Sequence, residues 1–136
     1  MTKAFVDTSV ILRILIKDDE LKARAAVNLL KSAGEKGLIL YLLPVAVLET
    51  VWVLEKVYAF PRKEVREVVE AILNTPELKV EQEVVFRKAL KTYVEKNIKF
   101  ADAVMGYWGL DKGYTTVFTY DEKDFKRIEG LETRKP

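Results

Sequence analysis

Cysteine and histidine are both absent from this chain of 136 residues. Without cysteine there are no disulfides, no thiolate zinc sites and no cysteine nucleophile. Without histidine, Ser-His-Asp triads, histidine metal sites and histidine-based RNA cleavage are excluded as well. If the protein is an enzyme, its chemistry must come from carboxylates, a metal ion, lysine, tyrosine or hydroxyl groups.

Long apolar runs and a strong excess of one charge are also missing. No apolar segment is long enough to span a membrane, and an N-terminus with a single lysine before Asp7 does not resemble a signal peptide. We therefore expect a cytoplasmic protein. The net charge is only +2 and the pI is near 8.7, below the value of about 9 that is typical of nucleic-acid-binding domains. An acidic active site with a basic rim would give the same balance, so nucleic acid stays a possible partner.

The length and the mixture of 49% apolar with 32% charged residues predict one soluble globular domain over residues 1–136. Strands alternate with helices, which predicts an α/β fold with a parallel sheet and helices on both faces. The predicted strands are residues 4–6, 38–43, 78–80 and 116–119, with 4–6 buried. The predicted helices are residues 10–16, 21–33, 45–58, 61–73, 81–96 and 101–112. A short turn or helix opens at Asp124, and the polar tail after Gly130 is an edge strand or a frayed end.

The third predicted helix is apolar on nearly every side. Such a helix is buried on more than one face, either deep within the domain or against a second subunit. Glu49 lies inside it, where a charged side chain is costly unless it is paired, bound to a metal or facing a cleft.

Two acids stand at the ends of predicted strands. Asp7 follows the first strand and precedes Thr8 and Ser9, and Asp121 follows the strand at 116–119. In an open parallel sheet the carboxyl ends of the strands form the edge where ligands bind. Taken alone, however, Asp7 is better explained as the N-cap of the next helix.

Two further acids have equally simple explanations. Asp102 falls in the first turn of a helix, where its charge suits the helix dipole, and Asp124 either caps a short helix or faces the same cleft. Taken together, the acids would repel one another without a counter-ion. Oxygen ligands without histidine or cysteine favour Mg²⁺ or Mn²⁺ over zinc or copper. Carboxylate-held metal ions are a common apparatus for phosphodiester cleavage.

Four motifs in this order resemble the PIN domain, and most closely the VapC-type toxins of prokaryotic toxin–antitoxin pairs. They are Phe5-Val6-Asp7-Thr8-Ser9, Leu48-Glu49, Asp102-Ala103 and Thr119-Tyr120-Asp121-Glu122-Lys123-Asp124-Phe125. The last motif is the most distinctive, and the resemblance extends over essentially the whole chain.

This resemblance implies a three-layer α/β/α domain with a central parallel sheet and an endoribonuclease dependent on Mg²⁺ or Mn²⁺. It implies in-line attack of activated water on RNA, leaving 5′-phosphate and 3′-hydroxyl ends. Asp7 and Asp102 would contact the metal directly, and Glu49 and Asp121 would complete the acidic quartet as ligands or by orienting water. By position, Asp124 matches an additional acid, and Thr8 or Ser9 and Thr119 match supporting hydroxyls.

The resemblance also implies partners. VapC-type toxins bind an antitoxin whose tail covers the acidic groove, and they commonly form homodimers, for which the third helix is an interface candidate. Arg13, Lys99 and Lys123 are candidate contacts to RNA phosphates.

Two other α/β folds with acids at strand ends fit this sequence less well. A haloacid dehalogenase phosphatase needs a second aspartate where Ser9 stands, and a receiver domain needs a pair of early acids that is missing here. A stand-alone PIN nuclease of RNA processing and a catalytically inactive PIN scaffold stay open as alternatives.

Overall fold

The protein is described by a computed structural model that covers residues 1–136. The chain forms two compact units, Met1–Glu81 and Gln82–Pro136. None of its helices is both long enough and apolar enough to cross a membrane.

The first unit contains a parallel sheet of three strands. Its strand order is β1-β2-β3, with Ala4 opposite Leu40 and Leu40 opposite Leu78. Past the carboxyl end of β1, the Val6 N–H still donates to the Tyr41 carbonyl at 3.0 Å, so the ladder runs up to the residue before Asp7. The elements of this unit are β1 (Thr2–Phe5), α1 (Thr8–Leu15), α2 (Glu20–Ser32), β2 (Leu38–Leu42), α3 (Pro44–Lys56), α4 (Arg62–Leu73) and β3 (Leu78–Val80).

Local sequence signals begin the helices of this unit. The Asp19 side chain caps α2 by accepting from the Lys22 N–H at 3.1 Å, and Pro44 begins α3 at a position where a missing N–H costs nothing. α4 follows Pro61 and buries an apolar stripe at helical spacing that includes Val65, Val69 and Ile72.

The second unit combines two packed helices with a small parallel sheet. β4 pairs with β5, Val117 standing opposite Thr133. α5 and α6 pack through an aromatic cluster in which the ring of Phe100 stacks on Phe86 at 6.2 Å and meets Tyr93 edge-on at 5.7 Å. The elements are α5 (Glu83–Glu95), α6 (Phe100–Asp111), β4 (Thr116–Phe118), α7 (Glu122–Phe125) and β5 (Glu132–Arg134).

The predicted α/β class, with parallel strands flanked by helices, is confirmed. The strands belong to a sheet of three and a sheet of two, and the polar tail forms β5. The prediction of one domain over residues 1–136 stays a prediction.

One detail of the predicted burial was wrong, and another is settled in part. Phe5 is 69% exposed although its strand was predicted to be buried, because side chains project from the faces of a sheet and the face of β1 that carries Phe5 is left uncovered. Val6, which follows β1, is buried. α3 buries one face, including Val47 and Val51, and exposes Val45 and Trp52 on another. The helix is therefore not enclosed within this chain, and the alternative, burial against a second subunit, stays a prediction.

Candidate active site

Asp7 follows β1 and is the N-cap of α1. Its carboxylate accepts hydrogen bonds from the Ser9 hydroxyl at 2.7 Å and from the Ser9 backbone N–H at 3.2 Å. These bonds, the hydroxyl first, lower the pKa of Asp7 because they stabilise the ionised form. The capping interpretation is confirmed, and the same bonds hold an exposed carboxylate in its charged form at the end of the strand.

Replacing Ser9 with alanine is expected to raise the pKa of Asp7 toward its ordinary value, because the hydroxyl contributes most to lowering it. Since the pKa is lower in the folded than in the unfolded protein, ionised Asp7 stabilises the fold above the unfolded pKa. That contribution is lost as the pH falls through the folded pKa. NMR titration of the Asp7 carboxyl carbon measures the change. Ser32→Ala, which removes a hydroxyl bonded to the Asn28 carbonyl, is the matched control; an unchanged pKa in Ser9→Ala would contradict the prediction.

Asp7 shares a small surface cleft with Glu49. The side chain of Glu49 is exposed on α3, on the side of the helix that also exposes Val45 and Trp52. The fold of the first unit thus brings two of the predicted acids to one cleft. Its volume is about 110 Å³, and its lining consists of Phe5, Val6, Asp7, Thr8, Leu43, Val45, Ala46 and Glu49.

Asp102 and Asp124 form a pair in the second unit. Asp102 is half-buried in the first turn of α6, and Asp124 is buried on α7 with 5% of its surface exposed. One oxygen of Asp124 accepts from the Lys99 backbone N–H at 3.1 Å. Burial, the hydrogen bond with Asp124 and the charge of Asp124 raise the pKa of Asp102, and the Lys99 ammonium partly opposes them. The surroundings of Asp102 therefore disfavour its ionised form, and a nearby cation would favour it.

Asp121 stands at the N-cap position of α7, but its side chain makes no capping hydrogen bond. Its backbone is fixed by Thr119, whose hydroxyl accepts from the Asp121 N–H at 2.9 Å and donates to the Asp121 carbonyl at 3.0 Å. The negative charge of Asp121 raises the pKa of Asp102 further. The turn therefore leaves the Asp121 carboxylate exposed and available to a ligand.

A model of the PIN domain family matches residues 4–131, a range that contains all five acids described above. The chain belongs to the PIN domain family. The resemblance inferred from the four sequence motifs is thereby confirmed.

Two individual proteins are similar to this PIN-domain chain. A VapC ribonuclease of Aquifex aeolicus strain VF5 is 29% identical over 131 residues, which cover 96% of this chain and 95% of the relative. A crystal structure of VapBC2 from Rickettsia felis, bound to a DNA fragment from their promoter, contains a chain that is 14% identical. That match covers 98% of both chains with a TM-score of 0.41.

The basic side chains predicted to contact RNA lie on three elements of the PIN domain. Arg13 on α1 pairs with Asp18 at 3.1 Å and lines a groove of about 410 Å³ that also contains Ser9 and Lys22. Lys99 is exposed at the N-cap of α6, and Lys123 is exposed on α7. Contact of any of them with RNA stays a prediction.

The acids fit a hard divalent cation by their chemistry. Within neither unit do three or more of them lie close enough together to hold a metal ion. All of them are oxygen donors, which suit Mg²⁺ or Mn²⁺, and burial together with the neighbouring Asp124 disfavours the ionised form of Asp102, an effect that a nearby cation would oppose. Metal binding by this PIN domain stays a prediction.

Asp124 is more deeply buried in the fold than the sequence indicated. The sequence left capping and facing the cleft as equal possibilities, but the N-cap position of α7 belongs to Asp121, and Asp124 is buried within the helix. Its spacing of three residues from Asp121 was the available signal. The contact with Lys99, which is 25 residues away in the chain, could not be predicted from local pattern.

Proposed function

We propose that the protein is a divalent-metal-dependent endoribonuclease that uses Asp7, Glu49, Asp102 and Asp121 to hydrolyse RNA phosphodiester bonds. The observation that carries this proposal is the pair Asp102–Asp124 beside Asp121, in a chain of the PIN domain family. The similarity to a VapC ribonuclease supports RNA as the substrate.

Each acid has a separate part in the proposed site. Asp7, kept ionised by Ser9, and Asp102, raised in pKa by its neighbours, are the direct metal ligands. Glu49 and Asp121, both exposed, act as further ligands or orient water. Asp124 holds Asp102 by a hydrogen bond and is the fifth candidate ligand.

The hydroxyl residues support these acids. Ser9 fixes the carboxylate of Asp7, Thr119 fixes the backbone of Asp121, and buried Thr8 packs at the start of α1. When bound, Mg²⁺ or Mn²⁺ would supply the positive charge that activates water and stabilises the phosphate during in-line attack. Arg13, Lys99 and Lys123 would hold neighbouring phosphates, and the products would carry 5′-phosphate and 3′-hydroxyl ends.

We propose that the protein acts in the cytoplasm as the toxin of a type II toxin–antitoxin pair. The similarity to a VapC ribonuclease supports it, and such a toxin would have a cognate antitoxin as its partner. We also propose a homodimer that buries the exposed apolar side chains of α3, of which Val45 is 67% and Trp52 57% exposed. We further propose that residues 1–136 act as one functional domain.

An assay of RNA cleavage tests the activity directly. Single-stranded RNA is incubated with the protein in Mg²⁺, Mn²⁺ or EDTA, and the products are resolved by electrophoresis. Cleavage is expected with either metal and none in EDTA. Binding of RNA without cleavage under all conditions would instead favour an inactive PIN scaffold, and cleavage without any antitoxin gene beside the coding sequence would favour a stand-alone nuclease of RNA processing.

Thermal melting tests the metal site without reference to activity. Because a ligand that binds only the folded state stabilises it by about 2.7 kcal/mol at one hundred times its Kd, saturating Mn²⁺ is expected to raise the Tm by several degrees. The rise should be much smaller in Asp7→Asn and Asp102→Asn. In EDTA, Asp102→Asn should melt no lower than the wild type, because the raised pKa of Asp102 means that its ionised form is penalised at neutral pH. An equal metal response in all three proteins would contradict a shared site.

A further inference from the structure

Tyr120 is the most exposed large apolar side chain of the fold, with 85% of its surface accessible. It takes part in none of the aromatic ring contacts of the protein. A single exposed aromatic residue is ordinary on a protein surface, so exposure alone implies nothing. Its position in the chain indicates a function, because Tyr120 lies between Thr119 and Asp121 in the turn that carries a proposed catalytic acid.

The backbone on both sides of Tyr120 is held in place. The Thr119 N–H donates to the Arg134 carbonyl at 2.9 Å, which extends the pairing of β4 with β5 by one residue. The Thr119 hydroxyl then closes the turn by bonding both the N–H and the carbonyl of Asp121. The ring is therefore presented to solvent from a fixed support, which lowers the entropy lost when a partner binds.

The neighbours of Tyr120 define the chemistry of that partner. Asp121, one of the acids proposed to act on a phosphodiester, follows Tyr120 directly in the turn that the Thr119 hydroxyl closes. Lys123 is exposed three residues further on. A neutral aromatic face beside a phosphate-directed site suits a nucleobase, because every base has a π-face that stacks on aromatic side chains.

We infer that Tyr120 is the residue that stacks on an unpaired nucleobase adjacent to the scissile phosphate and so positions the substrate. This inference rests on the proposed ribonuclease function and adds the residue that positions its substrate. A base in a duplex is already stacked and paired, so only a base free of its partner reaches the ring. Tyr120 is a specificity residue and takes no part in proton transfer or metal binding.

Kinetics of four proteins on a fluorescein-labelled single-stranded RNA test the stacking. Tyr120→Leu is expected to raise KM about 5- to 150-fold, equivalent to about 1–3 kcal/mol for one stacked base, with kcat changed less than about threefold because stacking is made equally in ground and transition states. Tyr120→Phe keeps the ring and should resemble the wild type. Tyr114→Leu is the matched control, since Tyr114 is 66% exposed and precedes β4, at the opposite end of the strand.

Removal of individual bases from the RNA separates stacking from a merely structural effect. One abasic position should raise the KM of the wild type and leave that of Tyr120→Leu unchanged, because the ring and the base form one interaction. Additive effects at every position, an unchanged KM in Tyr120→Leu, or an equal loss in Tyr114→Leu would overturn the inference. The inference would also be overturned if gel filtration showed an altered oligomeric state for Tyr120→Leu while its KM for RNA was unchanged.

RNA binding measured in EDTA tests stacking by Tyr120 separately from the proposed nuclease activity. Fluorescence anisotropy of the same RNA should show weaker binding by Tyr120→Leu and normal binding by Tyr114→Leu, whether or not cleavage occurs. Tyr120-dependent binding without cleavage by the wild type in Mn²⁺ would support stacking and overturn the nuclease. Cleavage that does not depend on Tyr120 would overturn stacking alone, and absence of both binding and cleavage would overturn both.

Discussion

Asp7→Asn and Asp102→Asn are each expected to lower the rate of RNA cleavage at least about 100-fold, because even residues that only orient metal ligands cost 10–100-fold when they are lost. Asparagine keeps the shape of the side chain but removes the charge that holds a cation. Initial rates in Mn²⁺, compared with the wild type at equal protein concentration, measure the effect.

Asparagine is also an efficient N-cap, so Asp7→Asn should keep α1 intact. The loss of activity would then report chemistry and not unfolding. Asp19→Asn is the matched control for it, since Asp19 caps α2 in the same way by accepting from the Lys22 N–H.

For Asp102→Asn the control is Asp111→Asn, which changes an exposed acid at the other end of α6. Both control proteins should cleave RNA at the wild-type rate. If Asp7→Asn and Asp102→Asn also cleave like the wild type, the acids are not catalytic, and the metal-dependent mechanism fails.

The elements of the fold were predictable because each is bounded by strong local signals. Gly113 has a φ of +84°, which other residues rarely adopt, and it follows the C-cap of α6 as the sequence predicted. Gly37, with a φ of +69°, lies in the turn between the end of α2 at Ser32 and the start of β2. Pro44 and Pro61 mark helix starts in the same way. Apolar periodicity then identifies the helices between these points.

Tertiary partnerships were not predictable from those signals. The polar residues of β5 have little strand character of their own and become a strand by pairing with β4. Phe5 looks like a core residue by type, but its burial depends on what covers β1. The acids Asp7, Asp102 and Asp121 were placed at element ends by local pattern, whereas the hydrogen bond between Asp102 and Asp124 depends on how α6 packs on α7.

Phe100→Ala is expected to destabilise the protein by about 3–5 kcal/mol, the usual cost of truncating a buried phenylalanine. Phe100 is 4% exposed and contacts two fully buried rings, stacking on Phe86 and meeting Tyr93 edge-on. The truncation removes the apolar burial of one ring and leaves a cavity between α5 and α6. Urea denaturation followed by circular dichroism measures the loss, and Phe118→Ala, at a 63% exposed ring of the same unit, should cost about 1 kcal/mol or less.

The same substitution connects the core to the candidate site. Phe100 begins α6 and Asp102 lies in that first turn, so the aromatic cluster fixes the helix end from which the carboxyl group approaches Asp124. Phe100→Leu retains most of the apolar volume and should recover most of the stability. RNA cleavage at a temperature where each variant is folded should fall in Phe100→Ala and recover in Phe100→Leu. Equal stability of Phe100→Ala and Phe118→Ala would contradict this account, because the cluster would then not be what holds α6 and Asp102 in place.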